Sequence, residues 1–217
     1  MQDKTQTGCL ILVPALLTLG VTLLRLAGEL ANASPTFFSR AVGGGAAVVG
    51  IIWLVPVFGI YFARRLARED SSAPVGRSAG FAALGLVAFV VLAAAGFQRP
   101  VASPSQFLLI AAGAFAGVAV ARKGWPLLWQ VLLAYGLAAR TPVAIVILVG
   151  ILNRWNTHYD SPPPGLPDLS PFARWIAIGV IPQFTIWIAV TVILGTLAGA
   201  ASLALVPVRR APAPAAP

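Results

Sequence analysis

The chain has 217 residues, of which 59% are hydrophobic and only 10% charged, with a mean hydropathy of +0.88 and a net charge of +9. A soluble globular domain carries about 25% charged residues, so the composition excludes one and specifies an integral membrane protein. The 15 basic residues outnumber the 6 acids but sit in short segments between apolar runs. That is where topology-setting and headgroup-contacting charge belongs, and it gives no nucleic-acid-binding face.

The first apolar run predicts a span at about 8–28. Its single cysteine, Cys9, excludes a disulfide framework or thiolate metal cluster and is expected to be a buried small residue. Near the end of the run, Arg25 and Glu29 stand one helical turn apart, a spacing at which they partly neutralise each other. Ala31-Asn32-Ala33 resembles a signal-peptidase site, yet Asp3 cancels Lys4 ahead of the run, so the span is expected to be retained.

Ser34-Pro35 reads as a helix start. A second span is expected at about 41–63, entered through Gly43-Gly44-Gly45 and stopped by Arg64-Arg65. A third is expected at about 80–97 and a fourth at about 105–121, the latter opened by Ser103-Pro104. Gly113 and Gly117 form a small-residue face on the fourth span, as do Gly195 and Gly199 near the end of the chain, where helices can approach closely.

The fifth span, about 125–152, carries Arg140 near its middle with Thr141-Pro142 directly after it. A charge at membrane depth is a functional-site candidate by default. Pro142 lacks a backbone donor and restricts Thr141, so the helix is expected to kink or break at Arg140-Thr141-Pro142. No neighbour on the same helical face can pair with Arg140, which leaves freed carbonyls, Glu29 or Asp160 as partners.

The span ends in a polar cluster, Asn153, Trp155, Thr157, His158, Tyr159 and Asp160, where His158 with Asp160 forms a candidate proton-handling pair. Proline-rich residues 161–171 predict an extended outer loop. The apolar pattern from Pro171 is too long for one crossing of a ~30 Å core. It divides into an interfacial helix through about Val180, a bend near Pro182-Gln183, and a sixth span at about 182–205. Gln130 and Gln183 are isolated polar groups expected to bond between helices.

The expected fold is therefore all-α, a polytopic bundle of about six spans in one domain over 1–206, with an outer loop and interfacial helix at 153–181 and a disordered Pro/Ala-rich tail at 207–217. Counting basic residues by side gives nine (Lys4, Arg64, Arg65, Arg68, Arg77, Arg122, Lys123, Arg209, Arg210) against five (Arg25, Arg40, Arg99, Arg154, Arg174). That count puts both termini in the cytoplasm. The runs AARTPVAIV, NTHYD, PPG and IPQFTIWIAVTVILG resemble uncharacterised bacterial multi-pass membrane proteins, which implies a bacterial inner membrane and no particular activity.

One histidine, no H-E-x-x-H or G-x-S-x-G and no acidic cluster in any span leave no metal site, catalytic residue or cofactor to expect. The first functional expectation is a non-catalytic accessory or scaffolding subunit, whose partners are the lipid bilayer and other membrane subunits. The second is a small transporter or channel that binds an anion on Arg140 in a discontinuous helix. The third is an intramembrane enzyme centred on His158 and Asp160.

Overall fold

The computed structural model describes residues 4–42, 47–69 and 73–206. Among these residues the fold is all-α: α1 (Lys4–Leu30), α2 (Leu54–Glu69), α3 (Val75–Phe97), α4 (Pro104–Arg122), α5 (Pro126–Asn153) and α6 (Pro171–Leu205), the last bent at Thr185. Five of them, all but α2, are long and apolar enough to cross a membrane, and the protein is a multi-pass membrane protein. The Gly43-Gly44-Gly45 run and the 207–217 tail lie outside the described residues.

Six full helical spans are not what forms. The second apolar run becomes helix only at Leu54 and gives 16 residues, about 24 Å at 1.5 Å per residue. The chain ahead of it is irregular, and Ser34-Pro35 opens a turn instead of a helix. Backbone at membrane depth tolerates this only where protein satisfies its polar groups. Here Val48 N–H donates to Thr36 O, Val49 N–H to Phe37 O, and Arg25 Nη2 to Ser39 O. The carbonyl of Glu29 receives Arg40 Nη2.

The helix termini follow the local chemistry. Ser103 Oγ accepts from Gln106 N–H at 3.2 Å, and Gln106 Oε1 accepts from Ala102 N–H at 2.8 Å, closing both ends of that turn. Ser170 Oγ caps α6 through Ala173 N–H, with Pro171 at its first position.

Of the expected kink or break at Arg140-Thr141-Pro142, the break does not form, and α5 runs as one continuous helix through these residues. The Thr141 hydroxyl donates to Leu137 O at 2.8 Å, and α5 is held by neighbours along its length. A proline inside such a helix loses one hydrogen bond without ending it. The discontinuity lies in α6, which winds as a π-helix over Trp175–Val180 and carries Pro182 just before Thr185. The bend therefore falls a few residues after the expected one.

Helices in lipid associate by close packing of small residues more than by apolar burial. Gly117 sits against Gly85 O, where an added Cβ would come within 2.7 Å, and a Cβ on Gly113 would stand 2.9 Å from Leu92 Cβ. A Cβ on Gly199 would lie 2.6 Å from Ala63 Cβ, and one on Gly195 2.7 Å from Leu132 Cδ2. These contacts join α3 to α4 as an antiparallel hairpin and lay the second half of α6 against α2 and α5. Arg64 Nη1 fixes the end of the α2–α6 pair by donating to Val206 O at 2.9 Å. The centre is α5: Leu128, Val131 and Leu132 are fully covered, and Tyr135 lies between Phe58, Phe62 and the Thr18 hydroxyl, 2.8 Å from its own.

Three smaller expectations fail: Cys9 on α1 and Gln130 on α5 look outward, while Gln183 on α6 is buried at a cavity. Cys9 is exposed, as is Gln130, and neither Gln130 nor Gln183 forms an interhelical hydrogen bond among the described residues.

Candidate functional site: a buried arginine beside a carboxylate–imidazole pair

Thr22, Arg25 and Glu29 recur at three- and four-residue steps and so share one face of α1. Arg25 Nε donates to Glu29 Oε1 at 2.8 Å, and both side chains are buried. The chain that meets this face follows α5. Arg154 ends that helix with φ 52, and Asn156 repeats the left-handed conformation with φ 54.

Asp160 organises the turn by accepting from Asn156 N–H (2.9 Å), Thr157 N–H (2.7 Å) and the Thr157 hydroxyl (2.7 Å). Its carboxylate is thus engaged within its own loop. Asn153 is likewise local, its amide donating to Val149 O, and Trp155 packs against Gly150.

The turn presents His158 to Glu29. His158 N–H donates to Glu29 Oε2 at 2.9 Å, and Nδ1 stands 2.5 Å from Oε1. The acid beside the histidine is therefore Glu29, 129 positions away, and not Asp160. With Nδ1–H donated to a carboxylate, Nε2 is left as the acceptor. Burial pulls the imidazole below its ordinary range, opposed by the Glu29 hydrogen bond. Burial also pushes Tyr159 up, and its hydroxyl donates to Thr22 O at 3.2 Å.

A cavity of about 450 Å³ opens beside this cluster. Its wall includes Arg25, His158 and Tyr159 from the cluster, Arg140 from α5, and Gln183 and Trp187 from either side of the α6 bend. The Arg140 guanidinium lies over the Trp187 ring, 4.7 Å from its centroid, and is 4% exposed. Among the described residues no carboxylate pairs with it, and its Nε has no acceptor. Gln183 Oε1 is buried and unpartnered in the same way.

Of the residues singled out in the sequence, Arg140, His158 and Tyr159 meet at one cavity. Glu29 supports it from behind, while Asp160 and Thr157 shape the loop. The four packing glycines stand elsewhere. Sequence reasoning did not associate Arg25 or Trp187 with Arg140. The available signals were the four-residue spacings of Arg25 with Glu29 and of Gln183 with Trp187, visible in the sequence but pointing to Arg140 only once the helices are paired.

No protein-family model, curated protein or solved structure matches this chain. What the site can do must therefore be argued from its own chemistry: a buried cation without a counter-charge, a carboxylate-held imidazole, and an apolar enclosure.

Proposed function

We propose that this membrane protein binds an anion on Arg140, in the manner of a small transporter or carrier. The observation that carries the reading is the state of that guanidinium: buried, without an acid among the described residues, and on the wall of a cavity. A buried cation without a partner is destabilising, so its retention is accounted for by a ligand that supplies the missing charge. The discontinuous helix is α6, and its bend between Gln183 and Trp187 lies at the site, as broken helices do in membrane transporters.

The second reading is an accessory subunit in a larger complex. It is favoured by α1, whose outer face of Leu12, Val13, Leu16 and Leu17 has no protein cover. In either reading the end of the bundle bearing Arg64, Arg65, Arg68, Arg77, Arg122 and Lys123 faces the cytoplasm of a bacterial inner membrane, together with both termini. Trp129, with Arg122 5.1 Å from its ring centroid, belongs to the aromatic belt at that end.

Native mass spectrometry of protein gently extracted from its own membranes separates the readings. An acidic small-molecule adduct that disappears in Arg140→Gln supports anion binding. Stoichiometric larger subunits with no adduct support the accessory role and overturn the first reading.

A further inference from the structure

The cavity wall also specifies the rest of the ligand, given the anion site proposed above. Among the described residues lining the cavity, three are exposed: Val42 at 47%, Ile52 at 44% and Phe97 at 62%. All three are apolar. Phe97 is the last residue of a membrane-spanning helix, and Ile52 lies two residues before α2. Arg140 and Gln183, at 4% and 7%, stand at the covered end.

A water-borne ion entering past these residues would leave its hydration shell against hydrocarbon before reaching a charge, which is costly. A molecule built in the matching order meets no such barrier. Its acidic head reaches Arg140, and its chain lies along Ile52, Val143, Ile147, Phe97 and Ile178. We infer that the ligand is a single-chain anionic amphiphile, a carboxylate or phosphate monoester on a hydrocarbon tail, and that it enters sideways from the bilayer.

The head chemistry fits the two unpartnered atoms. The planar guanidinium presents parallel N–H donors to a pair of acid oxygens, including the Nε–H that no group among the described residues accepts. The Gln183 amide supplies a donor or an acceptor by rotation, so it serves an ionised oxygen or an acid hydroxyl alike.

The test is thermal unfolding of the whole protein in phosphatidylcholine nanodiscs, titrated with decanoate, decyl phosphate, decanol, acetate and inorganic phosphate. Decanoate or decyl phosphate is expected to raise the midpoint saturably, at concentrations at least tenfold below those needed for the other three. The more potent of the two identifies the head. Arg140→Gln is expected to abolish the shift. Ile52→Glu, which puts an acid at the exposed mouth and leaves Arg140 in place, is expected to weaken it at least tenfold.

Acetate or inorganic phosphate matching the alkyl acids would overturn the amphiphile and leave the anion site standing, as would an unchanged response in Ile52→Glu. Decanol acting equally on the natural protein and Arg140→Gln would overturn the anion site itself. No shift with any probe would overturn both.

Discussion

His158 Nδ1 lies 2.5 Å from Glu29 Oε1, joining the loop after α5 to the last turn of α1 across 129 positions of chain. The same carboxylate holds Arg25 at 2.8 Å and the His158 backbone N–H at 2.9 Å, so one buried group anchors three others. Removing one partner of a buried pair typically costs about 3–5 kcal/mol, because the remaining charge is left uncompensated. Glu29→Gln is therefore expected to lower the unfolding midpoint steeply. Arg25→Gln with Glu29→Gln together is expected to cost less than the sum of the two, as coupled neighbours do. Midpoints of the two single variants and the double variant measure this.

The imidazole gives the same anchor a pH dependence. Burial depresses His158 below its ordinary value of 6.5, so the released loop binds a proton more readily than the packed one. Stability then rises with pH wherever the released state holds more protons. The contribution is complete above about pH 6.5 and is lost as pH falls through that value toward the depressed one. Unfolding midpoints measured from pH 7.5 to 5.5 are expected to fall in the natural protein and to fall less in His158→Gln.

Arg140 distinguishes a ligand site from a structural ion pair. If it held the bundle together, its removal would weaken the fold. With no carboxylate partner and no acceptor for its Nε among the described residues, it carries a desolvation cost that an apolar side chain of similar length avoids. Against that stands its stacking on Trp187, worth about 0.5–2 kcal/mol. Arg140→Met is expected to leave the midpoint of ligand-free protein unchanged or raised while abolishing anion binding. A large fall would assign the residue to packing.

The glycines of α6 make a cleaner packing test. A Cβ on Gly199 would meet Ala63 Cβ at 2.6 Å and Gly59 O at 2.8 Å, so Gly199→Ala pushes α2 away and is expected to cost about 1–3 kcal/mol. Gly20 in α1 has nothing within 4 Å, and Gly20→Ala is expected to be neutral or slightly stabilising.

The orientation is open to labelling. Arg99 lies in the α3–α4 connection and Lys123 at the start of the α4–α5 connection, at opposite ends of a hairpin. In a Cys9→Ser background, Lys123→Cys is expected to be protected from impermeant thiol reagents in intact cells, and Arg99→Cys to react. The reverse pattern would place both termini outside.

The existence of most spans was legible because twenty or so consecutive apolar residues have few alternatives in lipid. The second span was not. Residues 41–63 are apolar enough for a helix, yet the start at Leu54 depends on partners for Thr36 O, Phe37 O and Ser39 O that hydropathy does not encode. Arg140 was conspicuous as a lone charge, whereas its surroundings were not. His158 was assigned to the acid two residues away, because sequence gives local spacing. That acid was already occupied by the N–H groups of Asn156 and Thr157. Pro142 and Pro182 carry the same sequence signal, yet α5 continues through the first and α6 bends just after the second: a proline marks a weak point, and the surrounding packing decides whether the helix gives way there.

The π-helical stretch in α6 sets a rotational phase. At about 100° per residue, an uninterrupted α-helix would place Trp187 about 120° around from Trp175. One residue absorbed by the wider winding of Trp175–Val180 reduces that offset to about 20°. Trp175, whose indole donates to Ala144 O at 2.8 Å, and Trp187, which covers Arg140, are thereby turned toward the same side of α5. In genetic terms the stretch behaves as a one-residue insertion. Deleting a single codon between the two tryptophans would restore regular pitch and, at about 100° per residue, leave Trp187 at the same offset of about 20°, facing the guanidinium with no side chain in the site altered.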